Sequence, residues 1–258
     1  MTTTPPGFER WLNDLEARHL RDMTPTEVAR ALRALSSTYV ERRSRLSGRG
    51  AFDTAGKRAA YALYYAPRRF LTLCDVLATL APSTPPLTVI DAGCGTGAAG
   101  AAWAVHAGAG SRVQASDSHP WAIDETRATL HAFGITGEVR RGTIGGPRGA
   151  MPWVERQGAA ASKAVVLSYV VNELDDDDRT AALSSLLAAA AHGSRVLVME
   201  PMSRKTSPWW PRWADAVVKA GGRADEWRCT LTLPEITRQL GRAAGLDATG
   251  ASARTLYL

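Results

Sequence analysis

A glycine-rich segment at residues 89–97, Val-Ile-Asp-Ala-Gly-Cys-Gly-Thr-Gly, lies where a predicted strand ends and a predicted helix begins. Its glycines, Gly93, Gly95 and Gly97, let the backbone turn tightly and approach a ligand closely, which a Cβ atom would prevent. Asp91 precedes them, whereas a dinucleotide-binding fingerprint has an apolar residue at this point. The segment therefore predicts a ligand-binding loop that differs from a dinucleotide site.

A second acidic residue, Asp117, ends the next predicted strand, twenty residues beyond Gly97. A carboxylate at the end of that strand can accept hydrogen bonds from both hydroxyls of a ribose. The alternative is an ordinary solvated carboxylate at a strand end. The spacing from the glycine loop favours the ribose contact.

The fourth predicted strand ends in a polar segment. Ligands in open α/β sheets bind beyond the carboxyl ends of the strands, so we expect Ser168 and Tyr169 to face the reacting group. Glu173 is a candidate general base, and Asn172 is a candidate for positioning the substrate. In the alternative interpretation, Asn172 and Glu173 cap the next helix, and the acidic run 175–178 forms its first turn.

The elements that position these residues are short apolar runs that alternate with helical patterns from Leu87 onward. Strands that alternate with helices imply a parallel sheet covered on both faces. The tail adds a further strand, helix and strand. The predicted strands lie at 87–91, 112–117, 138–141, 164–168, 195–200, 229–233 and 252–258, and the helices among them at 98–107, 120–133, 178–191, 210–220 and 234–244.

The first eighty residues differ in kind, because their apolar residues recur at helical spacing. A proline-rich linker, Ala-Pro-Ser-Thr-Pro-Pro, follows them. We therefore predict an all-helical N-terminal subdomain at 1–80 and an α/β domain at 87–258. The helical segments, the second of them ended by Pro67, are predicted at about 7–45, 53–66 and 68–80.

Cysteine usage and hydropathy exclude several classes of protein. The three cysteines, Cys74, Cys94 and Cys229, are odd in number and far apart, which argues against a disulfide framework and against a structural zinc site. The N-terminus lacks the apolar core of a secretory signal, and the apolar stretches are too short to span a membrane. The expectation is a cytoplasmic protein with no metal site.

The formal charge of +6 is concentrated in one stretch. Residues 41–69 hold eight basic and two acidic side chains, and the rest of the chain is neutral in sum. Interleaved tyrosines would suit a surface that contacts an RNA backbone and stacks on unpaired bases. Alternatively, this helix packs one face on the core, with Tyr61 and Tyr65 as lids over a ligand pocket. The arginines assigned to RNA are Arg42, Arg43, Arg45 and Arg68.

The motif Asp-Ala-Gly-Cys-Gly-Thr-Gly, followed by Asp117, resembles that of the class I S-adenosylmethionine-dependent methyltransferases. The resemblance covers roughly 87–258. It implies a Rossmann-like, mostly parallel seven-stranded sheet and S-adenosylmethionine as cofactor, with Asp91 orienting the ammonium group and Asp117 holding the ribose. The cofactor-binding set is then Asp91, Gly93, Cys94, Gly95, Gly97, Asp117, Ser118, Thr143 and Ser168, and the catalytic candidates are Tyr169, Asn172 and Glu173.

This chain differs from that family's pattern at one position. The family's third strand usually ends in an acidic or amide residue that meets the adenine amino group, whereas this chain has Arg-Arg-Gly-Thr at 140–143. Thr143 or a backbone group is expected to take that place.

Three short segments resemble a narrower family, the mitochondrial and bacterial small-ribosomal-subunit methyltransferase-like proteins. They are Ser-Tyr-Val-Val-Asn-Glu-Leu at 168–174, Met-Glu-Pro at 199–201 and Ala-Ala-Tyr-Ala-Leu-Tyr-Tyr-Ala-Pro at 59–67. That family typically carries a cysteine cluster, associated with an iron–sulfur cluster, after the fifth strand, and this chain has only Cys229 there. The resemblance implies methyl transfer to rRNA or another ribosomal target, with RNA or the small subunit as partner.

Two other functions remain open from the sequence. In one, the acceptor is a small molecule such as a natural product, bound against a tryptophan cluster that otherwise packs in the core. In the other, the chain is a ribosome-assembly factor that keeps the cofactor pocket without catalysis. The tryptophans concerned are Trp209, Trp210, Trp213 and Trp227.

Overall fold

The computed structural model describes residues 5–41, 52–80, 85–145, 163–203 and 207–258. The strands in these ranges are β1 Thr88–Ala92, β2 Arg112–Asp117, β3 Gly137–Arg141, β4 Lys163–Ser168, β5 Arg195–Glu200, β6 Arg223–Thr230 and β7 Gly250–Tyr257. The α-helices are α1 Phe8–His19, α2 Pro25–Glu41, α3 Ala55–Ala60, α4 Ala66–Leu80, α5 Ala98–Ala107, α6 Pro120–Phe133, α7 Asp176–Ala191, α8 Trp210–Lys219 and α9 Glu235–Ala244.

The seven strands form one sheet in the order β3-β2-β1-β4-β5-β7-β6. The first five strands pair in parallel, and β7 is antiparallel to both β5 and β6. Every residue of β1 is buried, so its apolar residues Val89 and Ile90 follow each other rather than alternating with polar ones. The mostly parallel seven-stranded α/β sheet predicted from the sequence is confirmed.

Helices cover both faces of this sheet. Val89 and Val166 point to one face, where they share a core with α1, α4 and α5. Ile90 and Val165 point to the other face and pack on α7 and α8. Because successive side chains of a strand alternate between faces, neighbouring residues of β1 and β4 enter different cores. Asp91 follows Ile90 and therefore lies on the same face as Val89.

The sixth strand differs from its predicted position at 229–233. The strand observed is Arg223–Thr230, and its residues are exposed or half-buried throughout. β6 is the edge strand and pairs only with β7, so its polar side chains stay in contact with solvent. The prediction was wrong because it relied on apolar runs, which an edge strand does not need.

The N-terminal helices pack against the helices of the sheet. Trp11 on α1 is fully buried, and its indole Nε1 donates to Thr129 Oγ1 on α6 at 3.0 Å. Arg18 donates to the buried carboxylate of Glu125 on α6 at 2.6 Å. The helices of 5–80 thus share a hydrophobic core with the α/β part. The division into units at 1–80 and 87–258 stays a prediction.

The helix before the linker does not end at Pro67, contrary to the prediction. A π-helical segment, Tyr61–Tyr65, joins α3 to α4, so the chain is helical from 55 to 80. Proline has no N–H for the carbonyl four residues earlier, that of Leu63. Thr237 on α9 supplies the missing hydrogen-bond donor, because its hydroxyl donates to the Leu63 carbonyl at 2.8 Å.

Candidate functional site

The glycine segment forms a tight loop between β1 and α5. Gly93, Gly95 and Gly97 all have positive φ, at 72°, 55° and 73°, a backbone conformation that favours glycine. The N–H groups of Gly93 and Cys94 both donate to the carbonyl of Ser116 on β2, at 2.8 and 3.0 Å. The loop is therefore fixed to the end of the neighbouring strand.

There is no room for side chains on this loop. A Cβ at Gly93 would overlap a methyl group of Val170, and one at Gly97 would lie 2.8 Å from Thr126 Cγ2. A Cβ at Gly95 would lie 3.0 Å from the hydroxyl of Tyr61, so this tyrosine packs directly against the loop. The absence of Cβ atoms is what allows β4, α6 and the π-helical segment to close around the loop.

Thr126 on α6 supports the loop and was not recognised in the sequence. It is fully buried, its hydroxyl donates to the Gly95 carbonyl at 3.1 Å, and its Oγ1 lies 3.2 Å from Cys94 Sγ. Burial raises the pKa of the Cys94 thiol well above its usual range, so Cys94 is a packing group rather than a nucleophile. No local sequence signal marks Thr126, because its role depends on how α6 packs.

Asp117 faces the loop from the end of β2. Its Oδ2 accepts the Gly95 N–H at 2.9 Å, and its Oδ1 accepts the His119 N–H at 2.9 Å. These two backbone donors fix the orientation of the carboxylate. A carboxylate has about four lone-pair positions, so both oxygens can still accept a hydrogen bond from a ligand.

Asp91 lies under the loop at the end of β1 and is 1% exposed. Its Oδ2 accepts the Gly100 N–H at 2.8 Å, while its Oδ1 is buried with no hydrogen-bond partner among the described residues. Burial raises the pKa of this carboxyl from 3.8 to about 7, against the opposing effect of the Gly100 hydrogen bond. A buried carboxyl group with one oxygen that accepts no hydrogen bond suits a ligand that carries a cationic group or a hydrogen-bond donor.

The raised pKa of Asp91 predicts that stability without ligand falls as the pH rises. Between about pH 4 and 7 the folded chain binds more protons at this site than the unfolded chain. The contribution of Asp91 to the free energy of unfolding is therefore complete below about pH 4 and is lost as the pH passes 7. Urea unfolding between pH 5 and 8 should show this decline in the native sequence and a flatter profile in Asp91→Asn; parallel profiles would contradict the assignment.

A cleft of about 340 Å³ opens beside Asp117. Ser118 and Thr143 line it, together with Gly93 and Ile144, and their contact with a cofactor stays a prediction. Its opposite wall is acidic and comes from the segment after β4, namely Glu173, Asp175 and Asp178. The sequence predicts Asp175 and Asp178 only as part of the first turn of a helix. Ser168 does not line this cleft; it is buried, and its hydroxyl has no partner among the described residues.

The end of β4 is held in an unusual conformation by β5. Tyr169 has φ of 59°, the one non-glycine residue with positive φ in the described chain. The next residues form a short 3-10 helix, Val171–Glu173, in which Asn172 donates to Glu200 Oε2 at 2.5 Å. Trp209 Nε1 donates to the Asn172 side-chain oxygen at 2.9 Å. Asn172 is thus fixed on both sides by protein groups.

The capping alternative for Asn172 and Glu173 is wrong. The N-cap of α7 is Asp175, whose side chain accepts the Asp178 N–H at 2.8 Å. Glu173 is exposed and lines both the cleft beside Asp117 and a second cavity. The geometry therefore leaves its carboxylate at the boundary between two spaces.

The second cavity, of about 320 Å³, lies beyond Tyr169. It is bounded by α4, by the ends of β4 and β5 and by the start of β7. Arg69 occupies its wall, with the guanidinium 4.5, 4.7 and 5.6 Å from the ring centres of Tyr169, Tyr61 and Tyr65. Burial raises the pKa of Tyr169 to about 12 although Arg69 opposes it, so this phenol stays protonated.

The tryptophan wall suggested for a small-molecule acceptor is not present. Trp209 and Trp213 are buried against the face of the sheet that α7 and α8 cover. Trp227 donates to Thr255 Oγ1 at 2.8 Å. In the part of the chain that the structure describes, neither of the two cavities is lined by a tryptophan.

The predicted RNA contacts are only partly described. Arg42, Arg43 and Arg45 lie outside the described residues. Arg68 is half-buried, donates to the Asp247 carbonyl at 2.9 Å and to the Gly250 carbonyl, and lines the second cavity. Its guanidinium therefore joins α4 to the loop before β7.

Two other kinds of site are absent from the described ranges. No group of three or more His, Cys, Asp or Glu side chains is arranged to hold a metal ion there. Among the helices of those same ranges, none combines the length and the apolar character needed to cross a bilayer.

No family model and no curated protein sequence matches the chain. Solved structures are similar to it. An O-methyltransferase family protein from Burkholderia thailandensis is 18% identical with a TM-score of 0.52, and the match covers 86% of this chain and 66% of that one. An SAM-dependent methyltransferase from Aquifex aeolicus is 12% identical over 74% of this chain and 93% of that one, with a TM-score of 0.44. The plantazolicin methyltransferase BamL, solved with SAH, is 10% identical over 90% and 97%, with a TM-score of 0.48.

At sequence identities this low, structural similarity shows the fold and nothing more specific. Among these three structures, the Burkholderia protein has the TM-score, 0.52, that supports this similarity of fold. In this chain the antiparallel strand β7 lies between β5 and β6 in the seven-stranded sheet. The chain therefore has the Rossmann-like fold of the class I methyltransferases.

Proposed function

We propose that the chain is an S-adenosylmethionine-dependent methyltransferase. The observation that carries this proposal is the pairing of two carboxylates with one glycine loop: Asp91 buried beneath it and Asp117 beside it, with Gly93 between them. The cofactor has an ammonium group at one end and two ribose hydroxyls further along. The narrow aminocarboxypropyl chain of the cofactor would run along this loop, from the ammonium group at Asp91 towards the ribose at Asp117.

The residues present fit this cofactor. The Oδ1 of Asp91 is buried and lacks a partner, and a cationic ammonium nearby would lower the pKa of this carboxyl towards its usual range. Asp117 is already oriented by the Gly95 and His119 N–H groups and keeps acceptor capacity on both oxygens. The two acids thus have different environments for two different partners.

When bound, S-adenosylmethionine supplies an electrophilic methyl group on a positively charged sulfur. This methyl group would be transferred to a lone pair of the acceptor, and Glu173 would take up the proton that the acceptor loses. Glu173 suits this role because it lines both cavities. Tyr169 keeps its proton, since its pKa is about 12, and so acts as a hydrogen-bond donor. Asn172 positions this segment through Glu200.

Asp178 takes the place of the acidic residue absent after the third strand. It lines the cleft opposite Thr143, and its carboxylate lies so close to Gly145 that a Cβ there would overlap it. An adenine amino group is a hydrogen-bond donor, and Asp178 is a suitable acceptor. We predict that Asp178→Asn binds S-adenosylhomocysteine roughly 10-fold more weakly than the native chain does. The variant should also lose the native chain's preference for S-adenosylhomocysteine over S-inosylhomocysteine. Isothermal calorimetry with both ligands measures this.

Asp176 gives a matched control for that prediction. It lies on the same turn of α7, but its side chain is 94% exposed and pairs with Arg179. Asp176→Asn should bind both ligands as the native chain does. Equal discrimination by Asp178→Asn and the native chain would show that adenine is read elsewhere.

For the acceptor, the finer proposal from the sequence is rRNA or another ribosomal target. Its support is the basic stretch 41–69. The described cations of that stretch have internal partners: Lys57 pairs with Asp53 at 3.0 Å, Arg58 donates to the Phe52 carbonyl at 2.7 Å, and Arg68 donates to the loop before β7. The RNA proposal therefore depends on Arg42, Arg43, Arg45 and Arg49.

The test of the proposed function is cofactor binding followed by label transfer. Calorimetry with S-adenosylmethionine and S-adenosylhomocysteine should show one site per chain. Methyl-labelled cofactor should then label ribosomal small subunits or a small-molecule extract. Failure to bind either ligand would overturn the proposal; binding without label in any fraction would leave the assembly-factor alternative. RNA binding that weakens steeply with salt and is lost in an Arg42/Arg43/Arg45→Ala variant would support the ribosomal target.

A further inference from the structure

We propose that the second cavity holds the methyl acceptor, and that the acceptor is a small planar acid whose anionic group binds Arg69. This inference rests on the proposed function and names its substrate class. It follows from the position of the cavity, its size and the groups that line it.

The cavity lies next to the cofactor cleft. Glu173 lines both spaces, and Tyr169 turns between them with its positive φ of 59°. A non-glycine residue held in that region costs of order 1 to 3 kcal/mol and occurs preferentially at functional sites. A molecule in the second cavity would thus reach the methyl donor past Glu173, the proposed proton acceptor.

The volume of the cavity suits a small molecule. At about 320 Å³ it lies at the lower end of the range for small-molecule sites. Its walls come from rigid elements, since Arg69 and Thr72 belong to α4 and Glu200 ends β5. A fixed, compact space of this kind selects for a compact ligand.

The chemistry of the wall selects a planar anion. Arg69 packs among the rings of Tyr61, Tyr65 and Tyr169, and it donates to the Tyr61 hydroxyl. These contacts hold the guanidinium plane in one orientation at the cavity wall. A guanidinium binds a carboxylate through two parallel N–H donors. The rings of Tyr65 and Tyr169, which line the cavity, offer flat surfaces for an aromatic ring.

Two other charged groups of the wall are engaged with the protein. Arg68 donates to the Asp247 and Gly250 carbonyls. Glu200 accepts from the Val171 N–H at 2.8 Å and from Asn172 at 2.5 Å. These bonds fix the wall around the Arg69 guanidinium, and Glu173 lies at the side of the cavity that adjoins the cofactor cleft.

The test uses 2-hydroxybenzoate and 3,4-dihydroxybenzoate, each paired with its neutral methyl ester. Calorimetry is done on the full chain saturated with S-adenosylhomocysteine, and label transfer with methyl-labelled S-adenosylmethionine. We expect at least one acid to bind and to accept label, and to do so better than its ester. Arg69→Gln should lower the affinity for the acid by roughly 10- to 100-fold and leave that for the ester unchanged.

A second variant tests the cavity without touching Arg69. Ser252 lines the cavity from β7 and is exposed, so Ser252→Trp should fill the space and block the acid while cofactor binding persists. Ser184→Trp, on the exposed face of α7, is the matched control and should bind both ligands normally. Cofactor binding with no binding of either acid, or label in rRNA alone, would overturn this inference and leave the proposed function intact. If the native chain did not bind the cofactor at all, the proposed function itself would be overturned.

Discussion

Replacement of Asp117 by alanine should reduce the affinity for S-adenosylmethionine by at least about 100-fold, because two hydrogen bonds from the ribose to a charged acceptor are lost, each worth about 1.5–3 kcal/mol. The same change removes the acceptor for the Gly95 and His119 N–H groups, so the glycine loop loses one of its attachments as well. Calorimetric titration with S-adenosylmethionine measures the first effect, and urea unfolding measures the second.

Two further variants separate these effects. Asp117→Asn keeps one acceptor oxygen and therefore one of the two backbone contacts, so its losses of affinity and of free energy of unfolding should both be smaller than those of Asp117→Ala. Asp124→Ala removes an exposed acid on α6 that pairs with Arg127, and it should leave both quantities unchanged. If Asp117→Ala bound the cofactor within a few-fold of the native chain while remaining folded, the ribose assignment would be wrong.

The parts of the site that could be predicted from the sequence are those set by local chain geometry. The glycine loop was recognisable because three positions with φ near 55° to 73° favour glycine. Asp117 was recognisable because a strand–loop–helix unit fixes the distance between the ends of β1 and β2. The parallel pairing of β1 to β5 followed from the alternation of strands with helices, since parallel strands need crossover connections.

The parts that could not be predicted depend on contacts between distant elements. Pro67 ends a helix by local rules, but Thr237, far along the chain, supplies the hydrogen bond that its ring removes. Thr126 supports the glycine loop only because α6 packs beside it. Arg69 was counted with a basic surface, whereas its guanidinium lies among tyrosine rings at a cavity wall. Composition gives the charge of a side chain but not the direction in which it points.

Replacement of Gly93 by alanine should abolish cofactor binding at ordinary ligand concentrations and lower the free energy of unfolding by about 2–5 kcal/mol. Two separate costs add here. The φ of 72° is unfavourable for alanine, and the new Cβ would overlap a methyl group of Val170 and lie 3.2 Å from Ile144 Cδ1. The loop must then move away from β4, which shifts it relative to Asp117. Urea unfolding and calorimetric titration measure the two losses.

Gly245 separates the two costs, because it has the same φ of 72° in the left-handed region, but a Cβ there would meet nothing within 4 Å. Gly245→Ala should therefore lose only the backbone contribution, about 1–2 kcal/mol, and bind cofactor normally. Val170→Ala removes the overlapping methyl, so the double variant Gly93→Ala/Val170→Ala should recover binding in part and approach the stability of Gly245→Ala with its own small packing loss. If the double variant were no better than Gly93→Ala, the clash with β4 would not be the cause. Recovery would show that the missing Cβ atom is what lets the end of β4 close on the cofactor loop.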